Sequence, residues 1–155
     1  MPVNTVQLID FLIKAKKNTY AGAGDNISLP SPFSASKMLV FEEDHLNYRD
    51  IYFGTRQFSG QEAVSLTEHV LWSMTYSGKS MPGGDLQEIY DFLRQALLLI
   101  PADAPFRGPK ELFGNAGLHY RNSYSGDIGF FSGEESICRE GVLLYKLHYT
   151  GGWVS

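Results

Sequence analysis

Two stretches of this chain repeat one another. Residues 58–78 read FSGQEAVSLTEHVLWSMTYSG and residues 131–151 read FSGEESICREGVLLYKLHYTG, an alignment without a gap. Phe58, Ser59, Gly60, Glu62, Leu71, Tyr76 and Gly78 recur as Phe131, Ser132, Gly133, Glu135, Leu144, Tyr149 and Gly151. Just upstream, LNYRDIYFG (46–54) matches LHYRNSYSG (118–126), with Asp50 opposite Asn122, and Asp-Phe-Leu occurs at 10–12 and again at 91–93. Self-similarity in that order points to an architecture laid down twice. The expectation is an α+β fold of two α-β-β-β units, residues 1–80 and 84–155, related by a pseudo-twofold axis. They should form one domain over 1–155, because either half alone is too small for a comfortable core.

Local patterns supply the elements. Asn4 or Thr5 can cap a helix running to Lys17, with Val6, Ile9 and Ile13 on one stripe and Leu8, Leu12 and Ala15 on another. Lys14, Lys16 and Lys17 favour its C-terminal end, and the run Tyr20 to Gly24 stops it. Residues 25–36 read as a loop. Strands are expected at 37–41 (an edge), 46–53, 58–66 and 70–76, the last with period-two alternation of Val70, Trp72, Met74 and Tyr76. Asp85 and Glu88 make a capping-box-like start to a second helix, which Pro101 ends. A Pro-rich loop to Pro109 precedes strands at 118–124, 128–139 and 142–149. The economical assembly is a mostly antiparallel sheet with both helices packed on one face. The other face should carry the remaining aromatics and curve into a cleft.

Composition narrows the function. Of 155 residues, 43% are hydrophobic and 14% aromatic, enough to fold and to exclude disorder over most of the length. No apolar run approaches the ~18–20 residues that cross a bilayer, and Met1-Pro2-Val3-Asn4 does not resemble the start of a signal peptide. A lone cysteine, Cys138, fits a reducing cytoplasm. The net charge of −4, without a basic block, argues against nucleic acid as a partner of this chain alone.

Motifs for phosphate, dinucleotide, zinc-hydrolase and serine-hydrolase chemistry are absent. His45, His69, His119 and His148 never fall three or four apart, so no metal site and no cofactor is expected. The repeated Phe-Ser-Gly-x-Glu holds more. A glycine entering a strand marks a bulge or a close backbone approach. Beyond it Glu62 is in phase with Val64, and Glu135 with Ile137. If those apolar side chains point inward, so do both carboxylates, which must then be paired, hydrogen-bonded or protonated. They either line a cleft for a cationic or hydrogen-bond-donating ligand or pair with Arg49 or Arg121 as fold elements. Tyr48, Tyr52, Tyr120 and Tyr124, with Trp72, Tyr76, Tyr145 and Tyr149, supply an aromatic wall with polar tips or the rim of a core. Arg107, in Phe106-Arg107-Gly108-Pro109, presents a guanidinium to an anion or ties its loop to the body.

The runs TYAGAG, YRDIYFG, FSGQEAV, WSMTYSG, FLRQALLLIP with FRGP, and YKLHYTGG together resemble an uncharacterised bacterial family, domain of unknown function 5680, over about residues 8–152. Members of that family also occur behind Cro/C1-type helix-turn-helix domains, which implies a sensory or regulatory setting. This chain has no room for such a domain, so DNA binding does not carry over, and the family offers no catalytic residues to transfer. In architecture alone, the tandem α/β units look like the effector-binding domains related to the gyrase inhibitor protein. The expected function is a non-catalytic, cytoplasmic small-molecule-binding or sensory domain. Its ligand, cationic or aromatic, would sit near Glu62 and Glu135. The alternatives are an interaction module that pairs through the edge strand near 37–41, as a homodimer or with another protein, and an enzyme using a cleft glutamate as general base.

Overall fold

The computed structural model describes residues 2–24 and 28–155. Residues 25–27 of the loop expected at 25–36 lie outside them. The chain runs α1 (Thr5–Asn18), a single helical turn α2 (Tyr20–Ala23), then β1 (Ser36–Glu43), β2 (Leu46–Gly54), β3 (Gln57–Leu66) and β4 (His69–Ser80). Helix α3 (Leu86–Leu97) leads to β5 (Glu111–Phe113), β6 (Leu118–Asp127), β7 (Phe130–Arg139) and β8 (Val142–Trp153). All eight strands form one antiparallel sheet in the order β1-β2-β3-β4-β8-β7-β6-β5.

The expected pair of α-β-β-β units is not what the chain builds. Each side of the β4–β8 seam carries four strands, and the two sides are unequal: the outer strand is eight residues long in β1 but three in β5. The first side also carries two helices, α1 and α2, against α3 alone on the second. The continuous antiparallel sheet is the organising unit, closed at its centre by Trp72↔Trp153 through Ser80↔Tyr145.

Helix α1 starts where expected. The Asn4 side chain accepts from the Gln7 amide, and the Gln7 side chain accepts from the Asn4 amide, a reciprocal cap. Of the two stripes, Leu8, Leu12 and Ala15 are the buried one, joined by Phe11 and Lys16, while Val6 is 67% exposed. Asp85 caps α3 through the Gln87 and Glu88 amides.

Both helices lie over the sheet face that carries Tyr48, Trp72, Met74, Tyr76, Tyr120, Ile137, Tyr145 and Tyr149, and all of these join one hydrophobic core. The aromatic face is therefore the covered face, contrary to expectation. The open face carries Arg49, Gln61, Thr75, Arg121, Ser123, His148 and Thr150. Burial decides this: the widest apolar surface of a sheet stabilises the fold only where helices remove it from water.

Gly60 and Gly133 play the close-approach role, and the register shifts lie further on, at Val64/Ser65 and Ile137/Cys138. A Cβ on Gly60 would sit 2.4 Å from the Tyr76 Oη, and one on Gly133 2.2 Å from the Tyr149 Cζ. Each glycine is directly opposite that tyrosine in the sheet, so its missing side chain leaves the ring room to lie flat.

Candidate functional site

The strand period of two puts Tyr48, Asp50 and Tyr52 of β2 on the covered face, with Glu62 of β3 directly opposite Asp50. Helices α1, α2 and α3 close over this corner but do not fill it. A cavity of about 400 Å³ remains, walled by Tyr20, Tyr48, Tyr52, Phe58, Tyr76, Tyr90 and Tyr145, with Lys16, Asp50, Glu62 and Arg107 among its polar lining. Gly54, Thr55 and Gln87 line it and are exposed, so the cavity meets solvent between the β2–β3 turn and the start of α3. Tyr90 holds that corner: it donates to the Thr55 carbonyl and packs edge-on against Phe58.

Glu62 is 3% exposed and accepts from the Tyr48 hydroxyl at 2.6 Å. Lys16 reaches it from α1 at 3.1 Å and also donates to the Phe106 carbonyl at 2.5 Å. Burial pulls the Lys16 pKa down, opposed by the Glu62 charge. Asp50 is 6% exposed and accepts on Oδ1 from the Tyr76 hydroxyl at 2.6 Å. Among the described residues no donor reaches its second oxygen. Burial, and then the neighbouring Glu62 carboxylate, raise the Asp50 pKa to about 7.

Glu135 has a different setting. It is fully buried and takes a two-pronged bond from Arg107 at 2.7 and 3.1 Å, with Tyr120 at 2.5 Å and Tyr145 at 2.8 Å. Every oxygen lone pair it can direct is engaged by a fixed donor. Tyr120 also accepts from the Gly108 amide, and Asn122 donates to the Gly108 carbonyl. Tyr149 closes the set by donating to Asn122 at 2.7 Å. This cluster locks the Phe106–Pro109 loop onto β6, β7 and β8.

The residues expected to line one cleft are thus divided. Glu62, Tyr48, Tyr52, Tyr76 and Arg107 reach the cavity. Glu135 and Tyr120 belong to the loop anchor. Trp72 is fully buried, with its Nε1 donating to the Ile128 carbonyl at 3.0 Å. Tyr124 packs edge-on against Phe106, off the cavity wall. The partners considered for the glutamates, Arg49 and Arg121, are exposed on the open face; the cations that reach them are Lys16 and Arg107. Asp50 and Lys16 are among the cavity residues outside the expected set, as are Tyr20, Phe58 and Tyr90. Asp50 shares the phase of Tyr48 and Tyr52, and Lys16 stands four residues after Leu12 on the buried stripe; both signals were in the sequence.

The loop anchor and most of the cavity wall fall within one family match, while Lys16, Tyr20 and Tyr48 of the wall precede it. The domain of unknown function DUF5680 matches residues 50–154. The chain belongs to that family. No curated protein and no solved structure matches it. Helix α1, which supplies Lys16, precedes the matched DUF5680 stretch. No described helix is long and apolar enough to cross a membrane.

Proposed function

We propose that this DUF5680 chain is a small-molecule-binding, sensory domain whose ligand occupies the cavity between the helices and the β1–β4 side of the sheet. One observation carries the reading: Asp50 is almost wholly buried, yet among the described residues Tyr76 alone donates to it, and its side chain lines a cavity large enough for a small organic molecule. A fold gains nothing in stability from such a group, whereas Glu135 shows how the same chain satisfies a carboxylate it buries for structure. Aromatic walls with a few convergent polar groups are the usual composition of ligand sites. The single free Cys138 fits a reducing, cytoplasmic setting.

Thermal unfolding against a metabolite library tests the reading, because a ligand that binds only the folded chain raises the midpoint by mass action. The expected result is a saturable rise that Tyr52→Ala, at the cavity wall, weakens. A library without a single saturable shift would overturn it.

A second reading rests on Asp50 itself. A carboxyl group with a pKa of about 7 is tuned for general acid–base work. Turnover of a bound ligand, lost in Asp50→Asn with binding retained, would make the cavity an active site.

A further inference from the structure

The buried charges of the cavity and the adjoining loop anchor are unequal in number. Among the described residues, three buried side chains are carboxylates, Asp50, Glu62 and Glu135, and two are cations, Lys16 and Arg107. Arg107 is committed to Glu135 and Lys16 to Glu62. Asp50 is left with a phenol for a partner. A buried carboxylate without a cation either takes a proton or waits for a positive charge.

We propose that the cavity takes a compact organic ammonium ion, seated on Asp50 beside Glu62. The inference rests on the ligand-binding reading and specifies its ligand. The ammonium group donates to the Asp50 oxygen to which no described residue donates, and the carboxylic acid proton leaves to solvent, so Asp50 gains a positive partner. The walls suit the rest of such a molecule. Tyr52, Tyr76 and Phe58 present ring faces or edges that favour cations and apolar bodies alike, and about 400 Å³ is far more space than a bare metal ion would use.

Several titratable and charged groups face Asp50. Glu62 from β3 and Tyr76 from β4 are in place as described, with Lys16 over them from α1 and Arg107 from the loop before β5. Tyr48 and Tyr76 are pushed up, away from neutrality, by burial. Across the cavity, Tyr20 is pushed up to about 12, and Arg94 is ion-paired with Asp91. Lys37 lines the cavity from β1. Binding of a cation should therefore weaken by about tenfold from about pH 8 to about pH 6, as the proton competes for Asp50.

Calorimetric titration of the full chain with methylammonium, benzylammonium and phenethylammonium, and with benzyl alcohol and benzoate, decides it. The expected result is binding of an ammonium ion at least about tenfold tighter than benzyl alcohol, with a proton released below neutral pH. Asp50→Asn, which keeps the acceptor for Tyr76, should remove the pH dependence and bring ammonium and alcohol binding to within about twofold of one another. A pH dependence that persists in Asp50→Asn, or alcohol or benzoate binding as well as the ammonium ions, would overturn the proposal. So would failure of all three ammonium ions. In each of these cases the ligand-binding reading stands or falls separately, on the library.

Discussion

Asp50 is the residue on which most turns. Its folded-state pKa lies above the ordinary carboxyl value, about 7 against 3.8. A raised pKa means that the folded state holds the proton more tightly than the unfolded chain does. The contribution to stability is then fully present below about pH 4 and is lost as pH rises through about 7. Asp50→Asn imitates the protonated form. It should leave the empty protein more stable than the native chain at pH 8, with the gain shrinking toward pH 4, and thermal midpoints of the two proteins across that range will show it. At this scale the sequence was informative wherever alternation applied. Tyr48, Tyr52, Tyr76 and Glu62 were readable as inward-facing because each stands two residues from another inward position. Asp50 obeys the same alternation, standing between Tyr48 and Tyr52. Lys16 was read as a cation suited to a helix end, although its place on the Leu8–Leu12 stripe marked it as buried.

At the scale of elements, the tie between α1 and the sheet is a buried ion pair. Lys16 joins Glu62 of β3 to the Phe106 carbonyl of the loop after α3. Removing one member of such a pair leaves the other charge buried alone. Lys16→Met should therefore lower unfolding free energy by about 3–5 kcal/mol, and adding Glu62→Gln should restore a substantial part of it. Denaturant unfolding of the single and double variants measures both. The long strands and both main helices were legible to within a few residues, since each carries a full period of its pattern and, for α1 and α3, a capping side chain. Strand β5 was not, because three residues, Glu111–Phe113, are too few to show alternation. The helical turn α2 hid behind the glycines at 22 and 24, which read as a stop.

The whole molecule is held by one sheet and one core. Strands β4 and β8, which begin 73 residues apart, pair along the centre, and the buried side chains on both sides of that seam belong to a single cluster. Unfolding should accordingly be one cooperative step, with tryptophan fluorescence, which reports Trp72 and Trp153, and far-ultraviolet circular dichroism giving coincident denaturant midpoints. Separate midpoints would mean that the two sides of the sheet are independent. This level was the least legible in the sequence. Which face the helices cover, and that the outermost strands differ in length, follow from non-local pairing and burial that no local period reports. The repeated FSGxE runs end in different chemistry: one glutamate is sealed by Arg107 and two tyrosines, and the other is held by Lys16 and Tyr48 at the cavity wall beside Asp50.

Asp50 is a buried carboxyl group on the cavity wall, and among the described residues no cation is paired with it. The carboxyl carbon-13 shift of Asp50, assigned by its loss in Asp50→Asn and followed against pH in the ligand-free protein, tests this most directly. The account predicts a midpoint near 7. A midpoint at or below the ordinary carboxyl value of 3.8 would show that Asp50 is charged and compensated throughout, and would contradict it.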